Sequence, residues 1–380
     1  MINLGNILKI NLLSITILIS ILLRFFFIIF DHLIGYRIAI MTGEDLMGTV
    51  EAMKSQADVD FFGTVKMMYY WNFYYIILVS FFKIIIIKNF ITACILSFLT
   101  WLASLYFFQK IFIYLKIDAK IRIIATLLFC FWPSLFLYTV YPFKENFQIL
   151  FIILVTYYFI KSYYTPNLKI FFLFSLASFL LGMIHRGLTL YALVIFSYAI
   201  MFFYIKININ FKFTLSLFSL VFFLIFFLYN YSSFGYQHFE QGFFKAIQQY
   251  QNGISITKSR AQYTIYPVNI HDTADFIEFI IINFKNYLFR PYIDEISNLL
   301  DVFVFIENYL RILIFIFAFY FFIKKKYVIW VYVFLILFCL ELVWSAGTAN
   351  WGNALRHHSV GLPILFILLS IPFNKFSNAK

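Results

Sequence analysis

The sequence predicts an all-α, polytopic membrane protein with about ten transmembrane helices and further helices lying along the outer membrane surface. Three observations predict it. Of 380 residues, 63% are hydrophobic and 12% are charged, where a soluble domain carries roughly 25% charged residues. Apolar runs of about 18 residues or more, long enough to cross a bilayer, recur along the chain. Basic residues fall in small groups between those runs, as cytoplasmic loops require.

Taken in order, the spans are expected at about 9–30, 91–113, 121–140, 146–162, 169–185, 188–206, 211–230, 305–323, 327–345 and 357–373. The first run has no small-residue cleavage site and is too long for a signal-peptide core, so it is read as a retained helix. The run YYWNFYYIILVSFFKIIIIK at 69–88 is decided by parity. If it does not cross, both termini are cytoplasmic, and Lys116, Lys120, Arg122, Lys161, Lys169, Lys206, Lys212 and Lys324 all face the cytoplasm. If it crosses, nearly all of them fall outside, against the positive-inside rule. It is therefore placed as a juxtamembrane or re-entrant element on the outer side. The whole chain, 1–380, forms one integral-membrane domain, with outer segments at 31–90 and 231–304 and short outer turns at 141–145, 185–187 and 346–356.

Composition excludes several classes. The net charge of +12 is dispersed between spans and forms no nucleic-acid-binding patch. Cys94, Cys130 and Cys339 lie in apolar runs without CxxC spacing, so neither a disulfide framework nor a metal site is indicated. No internal repeat is visible, which weakens a transporter built from symmetric halves.

Under this topology the unusual polar residues gather on the outer face. Arg24 lies late in the first span, where it either lines a cavity or snorkels to the interface. The first outer loop carries Asp31, Glu44, Asp45, Asp58 and Asp60. A carboxylate there can deprotonate a hydroxyl acceptor, or it is simply a solvated loop acid; Asp58-Val59-Asp60 has the DxD form sometimes associated with a divalent cation. Lys144 and Glu145 sit between two apolar runs in YPFKEN. His185 and Arg186 occupy an outer turn, and Arg290 lies in the second long outer segment. Glu307 and Arg311 are one helical turn apart and can pair with each other. Glu341, Arg356, His357 and His358 complete the set, and two adjacent histidines alone do not make a metal site. Arginine offers bidentate contacts to phosphate oxygens and lysine a point charge. Such a face suits an anionic, lipid-linked substrate.

The order of these features resembles the GT-C superfamily of integral-membrane glycosyltransferases, which includes protein O-mannosyltransferases, aminoarabinose transferases and bacterial polysaccharide-assembly members. The resemblance rests on the first helix with Arg24, the acidic outer loop and the Tyr-rich YYWNFYY. It continues in the junction FWPSLFLYTVYPFKEN and in the later FRPYIDEISNLLDVFVFIEN and GNALRHHSVGLPILFIL. The chain departs from better-known members in lacking a proline-proline-leucine stretch before the second helix and a C-terminal soluble domain. The resemblance implies a polyprenyl-phosphate sugar as donor; the expected reaction is inverting transfer to a glycan or lipid-linked acceptor, with no cofactor indicated and a mechanism that need not have a metal. It also implies an acidic first-loop base, for which Asp45 within GED is the best-matching position and Glu44 its competitor. Arg24, Lys144, Glu145, His185, Arg186, Arg290 and Arg356 are the expected substrate contacts, at the outer face of a bacterial plasma membrane. A Wzy-type O-antigen or exopolysaccharide polymerase, or a lipid-linked oligosaccharide flippase, are the alternative readings.

Overall fold

A computed structural model describes residues 4–38, 46–56, 73–85, 87–165, 167–185, 187–189, 191–197, 248, 251–252, 261, 263, 269–325, 328–370 and 372. The described residues are overwhelmingly helical and include no strand. In chain order the helices are α1 (Leu4–Leu33), α2 (Leu46–Gln56), α3 (Phe73–Ile84), α4 (Phe90–Tyr114), α5 (Ala119–Phe131), α6 (Pro133–Val140) and α7 (Lys144–Tyr164). They continue with α8 (Leu168–Ile184), α9 (Thr273–Phe289), α10 (Leu299–Lys325), α11 (Val328–Gly347) and α12 (Trp351–Leu368). Five of them are long and apolar enough to cross a membrane, or six if the bent pair α5–α6 is one span. The expected span 211–230 lies outside the described residues, as does the part of 188–206 beyond residue 197.

Local sequence explains where these helices start. Asn89, Asp118, Asn167, Asp272 and Asn350 each stand just before a helix and accept a hydrogen bond from a backbone N–H in its first turn, which satisfies a donor that the helix leaves unpaired. The α5–α6 break has an equally local cause. Pro133 pushes the preceding residue out of the helical region, and Trp132 is extended at φ −61°, ψ 124°. The two helices meet at 57°. The run at 69–88 yields α3, whose 12 residues span about 18 Å, well short of a bilayer. It packs against α2.

The core lies around α7, which packs on α8, α4 and α12. Trp101, Phe108, Ile149, Ile153 and Val360 are fully buried there. By contrast α1 is peripheral, with only 22% of its apolar window buried and Leu18, Leu22, Phe26 and Ile29 facing outward.

Arg24 is how this peripheral helix is attached. It is fully buried, and its guanidinium lies 3.8 Å from the Trp101 ring centroid and 4.5 Å from that of Phe136. It donates to the Ser20 hydroxyl, to the Cys130 carbonyl at 3.1 Å and to the Thr139 hydroxyl at 3.1 Å. Aromatic faces and oxygen acceptors together replace the water a cation loses on burial. One turn beyond the apolar stretch, Asp31 accepts from the Tyr141 hydroxyl at 2.7 Å and from the Ile38 N–H at 2.8 Å.

Successive helices run back and forth, so their ends sort into two groups. One end carries Lys116, Lys120, Arg122, Lys161, Lys169 and Lys324, with the Tyr114 and Thr165 hydroxyls 3.3 Å apart. The other collects Asp31, Tyr141, Lys144, Glu145, His185 and Arg356. Replacing Arg24 with alanine is expected to destabilise the detergent-solubilised protein by about 3–5 kcal/mol, the usual cost of opening a buried polar network and leaving a cavity. Thermal unfolding checks this; an unchanged midpoint would show that Arg24 does not anchor α1.

Candidate functional site

The junction YPFKEN becomes an end-to-end meeting of helices. Tyr141, Pro142 and Phe143 form the connection, and α7 begins at Lys144. The Tyr74 hydroxyl of α3 donates to the Pro142 carbonyl, so α3 fixes the connection from one side. Glu145, in the first turn of α7, is fully buried and forms an ion pair with Arg356 of α12 at 2.9 Å. The Arg356 guanidinium also sits 5.4 Å from the centroid of Phe143. A carboxylate in a first helical turn is favoured by the helix dipole, and burial strengthens its attraction to a nearby guanidinium.

α12 starts at Trp351, within the expected turn 346–356 and ahead of the expected span 357–373, because Asn350 caps it by accepting from the Asn353 N–H at 2.7 Å. Arg356, His357 and His358 therefore occupy its second turn and diverge around it. Arg356 points to α7. The His357 ring stacks on Trp344 of α11, with centroids 4.0 Å apart and planes 12° from parallel, and its Nδ1 lies 2.7 Å from the Thr348 hydroxyl. His185, from the end of α8, meets the same Trp344 ring at 4.8 Å and lies 6.5 Å from His357. Lys144 is also within electrostatic reach of His357.

His358 faces a second network. Its Nδ1 is 2.9 Å from Glu341 Oε2, and its Nε2 is 3.0 Å from Arg311 Nη2. Arg311 Nη1 is 3.1 Å from the same Glu341 oxygen. Four helices, α9 to α12, converge here, since His358 Nε2 also lies 3.0 Å from the Tyr287 carbonyl. Gly361 makes this approach possible: a Cβ at that position would stand 2.8 Å from Glu341 Oε1 and 3.0 Å from Leu337.

The one-turn pairing of Glu307 with Arg311 gives way to these partners. Arg311 turns to Glu341 and His358, while Glu307 accepts from Ser134 and from the indole N–H of Trp132 at the α5–α6 break. The break exposes backbone and side-chain donors at the start of α6, and a carboxylate from α10 meets them.

Of the expected substrate contacts, Lys144, Glu145, His185 and Arg356 are brought together. Arg24 is separate, enclosed between Trp101 and Phe136. Arg290 belongs to a neighbouring cluster, ion-paired with Glu295 at 3.3 Å. Glu44, Asp45, Asp58, Asp60 and Arg186 lie outside the described residues. Reading the sequence alone missed Trp344, Thr348 and Tyr141, because Trp and Tyr are so common in this chain that none stands out. Gln148 was missed too, although a carboxamide in an apolar run is a visible signal; it is fully buried, and among the described residues its side-chain atoms find no hydrogen-bond partner. Among the described residues, no group of three or more His, Cys, Asp or Glu is placed to hold a metal ion.

The chain matches no protein-family model, no curated protein and no solved structure in comparisons with each.

Chemically, the Lys144–Glu145–Arg356 group offers two cations beside one carboxylate, with two imidazoles adjoining. If the Glu145–Arg356 pair joins α7 to α12, the single replacements Glu145→Ala and Arg356→Ala are each expected to lower stability by about 3 kcal/mol or more. The double replacement should cost less than their sum by about 1–3 kcal/mol. Unfolding of the four proteins measures the coupling, and strict additivity would mean that the pair contributes nothing as a pair.

Proposed function

We propose that this protein is a membrane glycosyltransferase of GT-C type, moving a sugar from a polyprenyl-phosphate donor to a glycan or lipid-linked acceptor at the outer face of a bacterial plasma membrane. The observation that carries the reading is the mixed-charge group Lys144, Glu145 and Arg356, held at one end of a strongly apolar helical bundle. Its placement opposite the lysine-rich end agrees with an outward-facing site under the positive-inside rule. A full bundle of about ten spans, with both termini cytoplasmic, belongs to the same reading.

Lipid-linked transfer asks little of the protein beyond positioning and charge. The donor's prenyl chain partitions into the bilayer beside the helices, and its phosphate remains at their ends. There Lys144 and Arg356 offer positive charge, and the dipole at the N-terminus of α7 adds to it. Asp45, or Glu44 beside it, takes the proton of the acceptor hydroxyl. The resulting oxygen attacks the anomeric carbon from the face opposite the phosphate. The bond from that carbon to the phosphate oxygen breaks, and polyprenyl phosphate leaves with the electron pair. The sugar's anomeric configuration inverts. Glu145 holds Arg356 in place and keeps the cations from collapsing onto other acids. A phosphate is already a good leaving group, so fixed charges and orientation supply most of the acceleration, and the mechanism calls for no metal.

Mass spectrometry of lipid-linked glycans in a deletion strain tests this. The expected result is accumulation of a glycan one sugar short, restored by the wild-type gene but not by Asp45→Asn. Accumulation of a complete repeat unit would instead indicate a polymerase or a flippase. Full restoration by Asp45→Asn would remove that residue from the mechanism.

A further inference from the structure

At the lysine-rich end, the register of two spans brings two lysines together. α4 and α7 are both long and apolar enough to cross a membrane, and they pack side by side. Toward one end the Asn146 carboxamide donates to the Ser97 carbonyl, across an offset of 49 residues. Further along, the Phe107 and Tyr157 rings meet with centroids 5.6 Å apart. At the other end the Tyr114 and Tyr164 rings are 5.8 Å apart, and the Tyr114 and Thr165 hydroxyls are 3.3 Å apart at an offset of 51. The offset barely changes along the pair, so the two helices run parallel and in step. Lys110 and Lys161 lie one turn before Tyr114 and Thr165 on their respective helices. They therefore stand at one level, on the ridges that border the seam between α4 and α7.

Each lysine is held by its own helix. The Lys110 ammonium lies 5.2 Å from the Tyr106 ring centroid and the Lys161 ammonium 5.6 Å from that of Tyr157, in both cases a tyrosine one turn earlier. Both heads thus turn back toward the middle of the spans instead of extending past the helix ends into water. Both lysines are half-buried, while Tyr106 and Ile113 beside them on α4 are exposed, so the seam opens at the surface of the described bundle. Among the described residues neither lysine has an ion-pair partner. The acid nearest to Lys110 in sequence, Asp118, instead caps α5 by accepting from the Lys120 N–H at 2.8 Å.

Two like charges at one level repel each other, and an anion placed between them removes that cost. The position decides which anion. Tyrosines and lysines about one turn from the ends of two spans mark the membrane–water interface, where lipid phosphates lie, and basic clefts between spans suit anionic head groups. We propose that Lys110 and Lys161 bind the head-group phosphate of an anionic phospholipid in the seam between α4 and α7. Its acyl chains then lie along the exposed apolar side chains of the spans, and its phosphate pins the two helix ends together. Lys144 stands at the opposite end of α7, 17 residues or about 25 Å away. The lipid site is thus separate from the Lys144–Glu145–Arg356 group and does not depend on the transferase reading.

Native mass spectrometry of the full-length protein, released from nanodiscs of phosphatidylglycerol and phosphatidylcholine in equal parts, counts the lipid that stays bound. Wild type is expected to retain one phosphatidylglycerol and to lose phosphatidylcholine. Lys110→Gln and Lys161→Gln are each expected to weaken retention about fivefold, the contribution of one lysine at a charged membrane surface. Lys120→Gln removes an exposed charge at the same end but outside the seam, and is expected to retain the lipid like wild type. Replacing both seam lysines with arginine keeps both charges and is expected to keep the lipid, which tests the site even where a glutamine variant fails to fold. Equal retention of the two lipids by wild type overturns the proposal, as does retention equal to wild type in both glutamine variants. Loss of the lipid from the folded double-arginine protein overturns it too. An equal fall in Lys120→Gln overturns it in favour of diffuse surface charge, and inorganic phosphate bound in the lipid's place overturns it in favour of a soluble-anion site.

Discussion

A charge buried among apolar helices must find a partner, and this single requirement organises the molecule. The second turn of α12 carries Arg356, His357 and His358 in succession, and none of the three can face hydrocarbon without cost. Arg356 reaches Glu145 on α7 at 2.9 Å. His358 reaches Glu341 on α11 and Arg311 on α10 at 2.9 and 3.0 Å. One helical turn thereby fixes the positions of three neighbouring helices. Dispersion contacts among the abundant phenylalanines would permit many rotations of α12; satisfying all of these polar groups leaves few.

The same requirement shapes the periphery and the break. Arg24 is fully buried although it belongs to α1 at the edge of the bundle. It is enclosed by two aromatic rings and three oxygen acceptors. Glu307 uses the donors that Trp132 and Ser134 present where Pro133 interrupts the helix. These contacts are structural in kind: each closes a local deficit of hydrogen bonds. The group at Lys144, Glu145 and Arg356 differs, since it combines an excess of positive charge with a helix N-terminus at the end of the bundle. The structural pairs hold that group in register, which is the link from packing to the proposed chemistry.

Much of the helical framework was legible in the sequence. Its punctuation was not read: the expected span 121–140 ran through the break that Pro133 causes, and the caps Asn89, Asp118, Asn167 and Asn350 were side-chain signals left unused. The run at 69–88 was expected not to cross, and the helix it forms over Phe73–Ile84 is short for a span. Pairings across helices were not legible. Glu307 and Arg311 look like natural partners at a spacing of four, yet each has a better-placed partner on another helix. No linear pattern records which helix will stand opposite. The start of α12 at Trp351 was also missed, because its polar second turn reads as a loop until burial and pairing are known. The acidic loop residues Glu44 and Asp45 remain expectations from resemblance, outside the described residues.

The claim on which the rest turns is that the mixed-charge group opens to the outside while the lysine-rich end faces the cytoplasm. Single cysteines at two exposed positions, Asn353→Cys near the group and Lys120→Cys at the other end, can be treated in intact cells with a membrane-impermeant maleimide. Labelling above the unsubstituted protein is expected at position 353 and not at position 120 until the cells are opened. Labelling of position 120 in intact cells, with position 353 protected, would invert the topology and contradict an outward-facing site.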